Sequence, residues 1–170
     1  MPWLVIGCGN THQVHVQHQD ITMDVNAAMQ PTIVGSIIDP NSPLITNVQY
    51  RRRFDVVYFE NIPEQVFNTP ENCRVVVGHL CLVLRANGEV RLRSGLALKP
   101  HLPNLRNAFK AFGFAIQHDI VHVLDAFYHS SKKLDKLGLV VSQATQGEQS
   151  IDFIAKKGAG VAAKPHESPI

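Results

Sequence analysis

Four short clusters hold the residues whose types and spacing could do chemistry. Gly7-Cys8-Gly9-Asn10 follows one apolar run and Asp24 closes a second. Ser36, Ile37 and Asp39 end a third run, and Phe59, Glu60 and Asn61 end a fourth. Two glycines let a backbone turn sharply and approach a ligand within van der Waals distance. An acid at a strand end can accept both hydroxyls of a ribose. Backbone groups and a small side chain at Ser36 and Ile37 can pair with the edge of an adenine. Phe59 and Glu60 would line the wall beside a second substrate. Together these features describe a pocket for an adenosine-type cofactor.

The interval from Gly7 to Asp24 is 17 positions, a little under the roughly 20 of a dinucleotide fold. His12 stands where a dinucleotide fingerprint has its third glycine, which argues against NAD or FAD. Asp24 competes with a bland reading as an ordinary loop acid. Glu60 could line the site or cap the helix that follows. Cys8 has no neighbouring base in sequence and reads as a packed small side chain. His12, His15 and His18 recur every three residues; they could share a metal ion, but no acid or cysteine is placed to complete the set. The alternative is a polar stretch alternating around Val14 and Val16, so no metal is expected. His118 and His122 share one side of a strand and read as surface or satisfied core histidines.

The elements that must position these clusters follow from periodicity and turn chemistry. Trp3 to Ile6, Ile21 to Asp24, Thr32 to Ile38 and Phe54 to Phe59 read as strands. The continuous apolar character of the first is that of a central parallel strand covered on both faces. Thr69-Pro70-Glu71 starts a helix, with a cap, a proline at the first position and an acid at the positive end of the dipole. That helix should carry Cys73 and Cys81 and run to Leu84. Asn87-Gly88 reads as a turn before a strand at Glu89 to Arg93. Asn104 opens a helix whose apolar face is Leu105, Ala108, Phe109 and Phe112, stopped by Gly113. Phe114 to Leu124 and Ile151 to Ala155 read as the last strands. Residues 125–150 form a polar insertion, with a short helix up to Leu137 and an extra strand at Leu139 to Ser142. Residues 10–20 should hold at most about one helical turn, because Val14 and Val16 show period two. The whole is an α/β, Rossmann-like domain over residues 1–157, with a mostly parallel sheet, helices on both faces, and a loose tail from 158 to 170.

Composition limits the partners. The chain has 170 residues, 45% hydrophobic and 18% charged, with a formal net charge of +2. One domain with a real core fits that length. Arg51-Arg52-Arg53 is the only dense basic run, and nucleic acid usually needs a broader basic face. Three cysteines without C-x-x-C spacing argue against a disulfide framework or a structural zinc site. No secretory leader pattern opens the chain and no apolar run is long enough for a bilayer, so a cytoplasmic, membrane-free protein is expected.

The runs LVIGCGN, ITMDVN, FDVVYFENIP, LRANGEVRLRSG, AFGF and IDFIAKK resemble those of class I S-adenosylmethionine-dependent methyltransferases. The similarity is greatest to small members with a shortened first connection. It covers roughly residues 3–157, leaving 125–150 unmatched. It implies S-adenosylmethionine as cofactor and methyl transfer to an unidentified acceptor. It places the glycine-rich loop at Gly7, Cys8, Gly9 and Asn10, the ribose acid at Asp24, and the residue packing on adenine at Val25. The adenine edge falls at Ser36 and Ile37, and the loop after the fourth strand at Phe59, Glu60 and Asn61. Four features depart from the pattern: Val5 stands where the family carries an acid, Thr11 replaces a loop glycine, only eleven residues separate Gly9 from Ile21, and the family's acid near Ser36 has Asp39 as its nearest counterpart. They imply weak cofactor binding and make a non-catalytic, methyltransferase-like scaffold the alternative. A nucleotide-binding domain of other chemistry is the third reading. No catalytic residue is assigned; Glu60 is the first to test.

Overall fold

The computed structural model describes residues 3–7, 20–59, 64–94, 96–123, 133–134, 140–141 and 149–158. Cys8, Gly9, Asn10, Glu60, Asn61, the three closely spaced histidines, the first connection and the tail beyond 158 lie outside them. Nine strands are found among the described residues: β1 (Leu4–Ile6), β2 (Ile21–Asp24), β3 (Ile33–Val34), β4 (Phe54–Phe59), β5 (Leu84–Ser94), β6 (Ala115–Val123), β7 (Lys133–Leu134), β8 (Val140–Val141) and β9 (Gln149–Lys156). Seven form one sheet in the order β3-β2-β1-β4-β5-β9-β6. β1 pairs parallel with both β2 and β4, and β3 and β5 extend that parallel block on either side. β9 is inserted antiparallel between β5 and β6. The expected mostly parallel α/β sheet is therefore present, with the strand ending at Gly7 between the strands ending at Asp24 and Phe59.

The sequence explains why β1 and β4 are central. All three residues of β1 are buried, and β4 is buried at every position but Asp55. A strand wet on one face would alternate; these do not, as parallel strands covered on both faces require. One face carries Leu4, Ile6, Met23, Val57, Phe59, Val90 and Leu92, which join a single apolar cluster with three α-helices. These are α1 (Pro43–Thr46), α2 (Pro70–Val83) and α3 (Leu102–Ala111). Trp3, Val5, Val56 and Tyr58 alternate onto the other face and are buried there too. The Arg91 guanidinium lies 4.9 Å from the Trp3 ring centroid and is paired with Glu89 at 3.0 Å.

Right-handed crossovers decide which connections cover which face. From β3 to β4, β5 and β6 the chain moves one way along the sheet, so α1, α2 and α3 share a face. From β2 to β3 it moves the other way, so that connection belongs to the opposite face. It holds only a 3-10 turn, Ala27–Met29, which buries no residue.

α2 begins where its sequence says it should. The Thr69 hydroxyl accepts the Asn72 N–H at 3.0 Å, Pro70 occupies the first turn and Glu71 faces the dipole. At its far end the Lys157 ammonium donates to the carbonyls of Cys81 (2.6 Å) and Leu84 (3.0 Å). A cation on the last carbonyls satisfies orphan acceptors and complements the dipole. Leu105, Ala108, Phe109 and Phe112 form the buried face of α3 as expected. Gly113, at φ 82°, ends it, and Phe109 packs on Phe114 and Phe153 at 5.0 and 5.2 Å.

Four expectations need correction. The third strand is only Ile33–Val34; at Gly35 the chain bonds to the Asp24 carbonyl and turns, with Asp39 N–H closing on Ser36. Asn87-Gly88 is not a turn that precedes the fifth strand, because β5 (Leu84–Ser94) runs through it. The register with β4 jumps from Phe54↔Leu84 to Val56↔Glu89, so the turn chemistry is absorbed as a bulge, with Asn87 at φ 64°. α3 starts at Leu102, not Asn104, because Pro103 suits its first turn. In the insertion, Lys133–Leu134 is a strand paired antiparallel with Val140–Val141. The helix expected there is excluded at those two residues, since the β-branched pair at 140–141 recruits them into a ladder.

Candidate functional site

The chain leaves β1 for β2 on one side and reaches β4 on the other, so the strand order reverses between β1 and β4. In open α/β sheets the crevice beyond the carboxyl ends at such a reversal is where ligands bind. Four clusters expected from the sequence have their described members along this one edge.

Gly7 ends β1 with φ 74°, a left-handed conformation that a side chain would strain. Its N–H donates to the Met23 carbonyl at 2.8 Å, which fixes the exit of the loop against β2. Asp24 is the last residue of β2, one strand away, roughly 4.8 Å by the spacing of paired strands. Its carboxylate Oδ1 accepts the Asn26 N–H at 2.9 Å, and Asn26 in turn accepts the Ala28 N–H at 3.0 Å. The acid is therefore held by a local turn. Val25 beside it is 66% exposed, an apolar surface next to a carboxylate.

Ser36 and Ile37 lie in the turn after β3. Ser36 is half-buried, and its hydroxyl accepts the Ile38 N–H at 3.4 Å. Ile37 is a core residue, 2% exposed, so at this position it is backbone that remains for a ligand. The Asp39 carboxylate accepts the Asn41 N–H at 2.9 Å. Gly35, which bridges Asp24 to this turn, has no room for a side chain to spare: a Cβ there would sit 3.1 Å from Ser42 Cβ. Phe59 ends β4 buried, edge-on to Phe67 with centroids 5.8 Å apart. Val5, in the middle of β1, is fully buried.

One residue of this region carries no motif. His79, on α2, is buried and its Nδ1 bonds to the Ile37 carbonyl at 2.5 Å. A carbonyl only accepts, so Nδ1 carries the hydrogen. Burial pushes the imidazole below its ordinary value of 6.5, against the pull of the Ile37 carbonyl and Asp39 and together with the repulsion of Arg51. The only sequence signal was a lone polar residue inside the apolar run of α2. Cys73 is also buried there; desolvation pushes its thiol up to about 11, and its Sγ contacts the Phe67 carbonyl at 3.4 Å. It packs as a small apolar group. Among the described residues no group of three His, Cys, Asp or Glu side chains is arranged to hold a metal. Among them, too, no helix is long and apolar enough to cross a membrane.

The sequence matches no protein-family model and no curated protein. Solved structures do match in fold. The chain is similar to a TehB-like SAM-dependent methyltransferase from Corynebacterium glutamicum (TM-score 0.54, 11% identity, covering 92% of this chain and 79% of that one). It is also similar to a SAM-dependent methyltransferase from Archaeoglobus fulgidus (TM-score 0.56, 13% identity, 92% and 86% covered). A third likeness is the YcgJ protein from Bacillus subtilis (TM-score 0.56, 15% identity, 94% and 92% covered). The chain has the Rossmann-like fold of the class I methyltransferases.

Proposed function

We propose that this domain binds S-adenosylmethionine at the carboxyl edge of β1, β2 and β3 and transfers its methyl group to an acceptor bound beyond β4. The observation that carries the reading is the placement of a left-handed Gly7 beside Asp24 at the point where strand order reverses. The side chains present fit an adenosyl group. Gly7 offers close backbone approach, Asp24 a carboxylate acceptor, Val25 an exposed apolar surface, and the turn at Ser36 and Ile37 a set of peptide groups. Cys8, Gly9 and Asn10 complete the loop in this reading, and Phe59 and Glu60 line the acceptor side.

When bound, the cofactor supplies an already activated methyl sulfonium. The protein's share is then to hold the acceptor in line with the methyl and keep water out, which is a matter of positioning. No general base is assigned to the described residues. The compartment in this reading is the cytoplasm, and the acceptor is an unidentified small molecule or macromolecule.

A second reading, a methyltransferase-like scaffold without turnover, is favoured by one observation: Val5 is sealed in the sheet at the position where the resembling family carries an acid. Calorimetric titration with S-adenosylmethionine and S-adenosylhomocysteine separates the two. Binding of both below millimolar concentration is expected. No heat at millimolar ligand removes the enzyme reading and leaves the scaffold.

A further inference from the structure

Among the described residues the buried polar side chains are Asp20, Thr22, Ser42 and His79, and of these only His79 sits on α2. Burying an imidazole costs free energy unless its polar atoms find partners. An apolar side chain would fill the same buried place without that cost. What His79 makes in return is one contact of long sequence range, from Nδ1 to the Ile37 carbonyl, 42 residues away.

That carbonyl belongs to the turn of residues 36–39, and the turn is otherwise held mostly by itself. Asp39 N–H bonds to the Ser36 carbonyl at 3.1 Å and Ser42 N–H to the Asp39 carbonyl at 3.2 Å. The Ser36 hydroxyl holds the Ile38 N–H. Two groups tie the turn to the body of the protein from the helical side: the Ile37 side chain in the core and the His79 bond. Gly35 ties its start to the Asp24 carbonyl at 3.0 Å. The height of the turn above the sheet, measured against Asp24, is thus set by α2 through His79.

We propose that His79 is a positioning residue that fixes the turn at Ser36 and Ile37 and so sets the preference of the site for an adenine base over a base with a different hydrogen-bonding edge. This rests on the adenosyl-cofactor reading above. Peptide groups recognise a base edge only when held at the right distance, and discrimination between bases falls when the recognising turn can shift.

The test uses three forms of the whole chain: wild type, His79→Leu, which keeps bulk without the donor, and His79→Asn, whose amide nitrogen can stand where Nδ1 stands. Hydrogen exchange is read at Ile38 and Asp39, and titration compares S-adenosylhomocysteine with its inosine analogue. In His79→Leu, exchange at Ile38 and Asp39 should quicken about tenfold while the amides of β4 stay unchanged. Its preference for the adenosine ligand should fall by a similar factor, the size expected for one buried hydrogen bond. His79→Asn should restore both. Should His79→Leu not fold, His79→Gln carries the same test, because its amide extends past the carbonyl. Unchanged exchange at Ile38 and Asp39 overturns the clamp whatever the ligands do. Equal weakening of both ligands overturns the selectivity role and leaves only a structural one. Failure of the wild type to bind either ligand overturns the adenosyl reading, and the selectivity with it.

Discussion

In the proposed reading Asp24 holds both its own backbone and a ligand. Its Oδ1 accepts the Asn26 N–H at 2.9 Å, and a carboxylate has about four lone-pair directions in all. If the ribose hydroxyls are its other task, bonds to a charged acceptor contribute on the order of 1.5–3 kcal/mol. Asp24→Ala should therefore weaken S-adenosylhomocysteine roughly 10- to 100-fold, and Asp24→Asn less, since the amide oxygen keeps the turn and can still accept. Asp39→Ala is the control: its carboxylate holds Asn41 N–H, and the change in affinity should be several-fold at most. Titration of each variant with a melting curve decides; equal affinity of wild type and Asp24→Ala removes the ribose assignment. His79 adds a pH dependence at the same scale. Burial lowers its pKa in the folded state below 6.5, with Asp39 opposing and Arg51 assisting, so the unfolded chain binds the extra proton first. The stability this histidine contributes is complete above about pH 6.5 and is lost as pH falls from there toward the folded value, with a slope of at most roughly 1.4 kcal/mol per pH unit. Urea midpoints between pH 5 and 7.5 should fall more steeply for wild type than for His79→Leu; identical slopes would show that His79 titrates alike in both states.

At the scale of the element, the local devices decide what a sequence reading can reach. β2 and β4 were legible to the residue, because each is an apolar run bounded by a polar break. α2 was legible through its cap, although its interior is rich in β-branched residues. β3 was not: residues 32–38 have strand propensity throughout, but Gly35 bends away to bond Asp24 and Ile37 turns into the core. Propensity could not show which of these would win. Asn87-Gly88 failed for the opposite reason, since a turn signal can be spent inside a strand as a bulge. Gly88 shows how tightly. A Cβ there would meet Leu84 Cδ2 at 2.9 Å, the Arg85 carbonyl at 3.0 Å and the Asp55 carbonyl at 3.1 Å. Two of the three are backbone and cannot swing aside. Gly88→Ala should thus destabilise by about 1–3 kcal/mol, the range of overpacking in a filled core, read as a shift in urea midpoint. A change under about 0.5 kcal/mol would mean that the bulge re-forms elsewhere in β5. Of the candidate site, the strand-end positions of Gly7 and Asp24 were legible, where residue type and strand end coincide. His79 was not, because nothing in a histidine on a helix names a carbonyl 42 residues earlier.

For the molecule as a whole, the proposed site and the tie between sheet and helices fall on different parts of the sheet. The candidate site uses the carboxyl ends of β1 to β4. β9 lies beyond β5, supplies no candidate site residue, and bonds to two strands at once. Phe153 on it is fully buried and stacks at a tilt on Phe109 of α3, with centroids 5.2 Å apart. It thereby joins the antiparallel end of the sheet to the helical layer. Truncating a buried phenylalanine costs about 3–5 kcal/mol, a large part of the 5–15 kcal/mol that stabilises a domain of this kind. Phe153→Ala should lower the melting temperature by roughly 6–20 °C, since about 1 kcal/mol shifts a domain of 150 residues or more by some 2–4 °C. Folded Phe153→Ala, held well below its midpoint, should still bind S-adenosylhomocysteine with wild-type affinity to within about twofold. Asp24→Ala should show the reverse, normal melting and lost affinity. The two variants measured together by thermal melting and titration test whether stability and recognition are carried by different parts of the sheet. A Phe153→Ala protein that melts normally would show that β9 is not the tie between the layers. One that is folded yet has lost affinity tenfold would place the ligand against the antiparallel end and not at the reversal between β1 and β4.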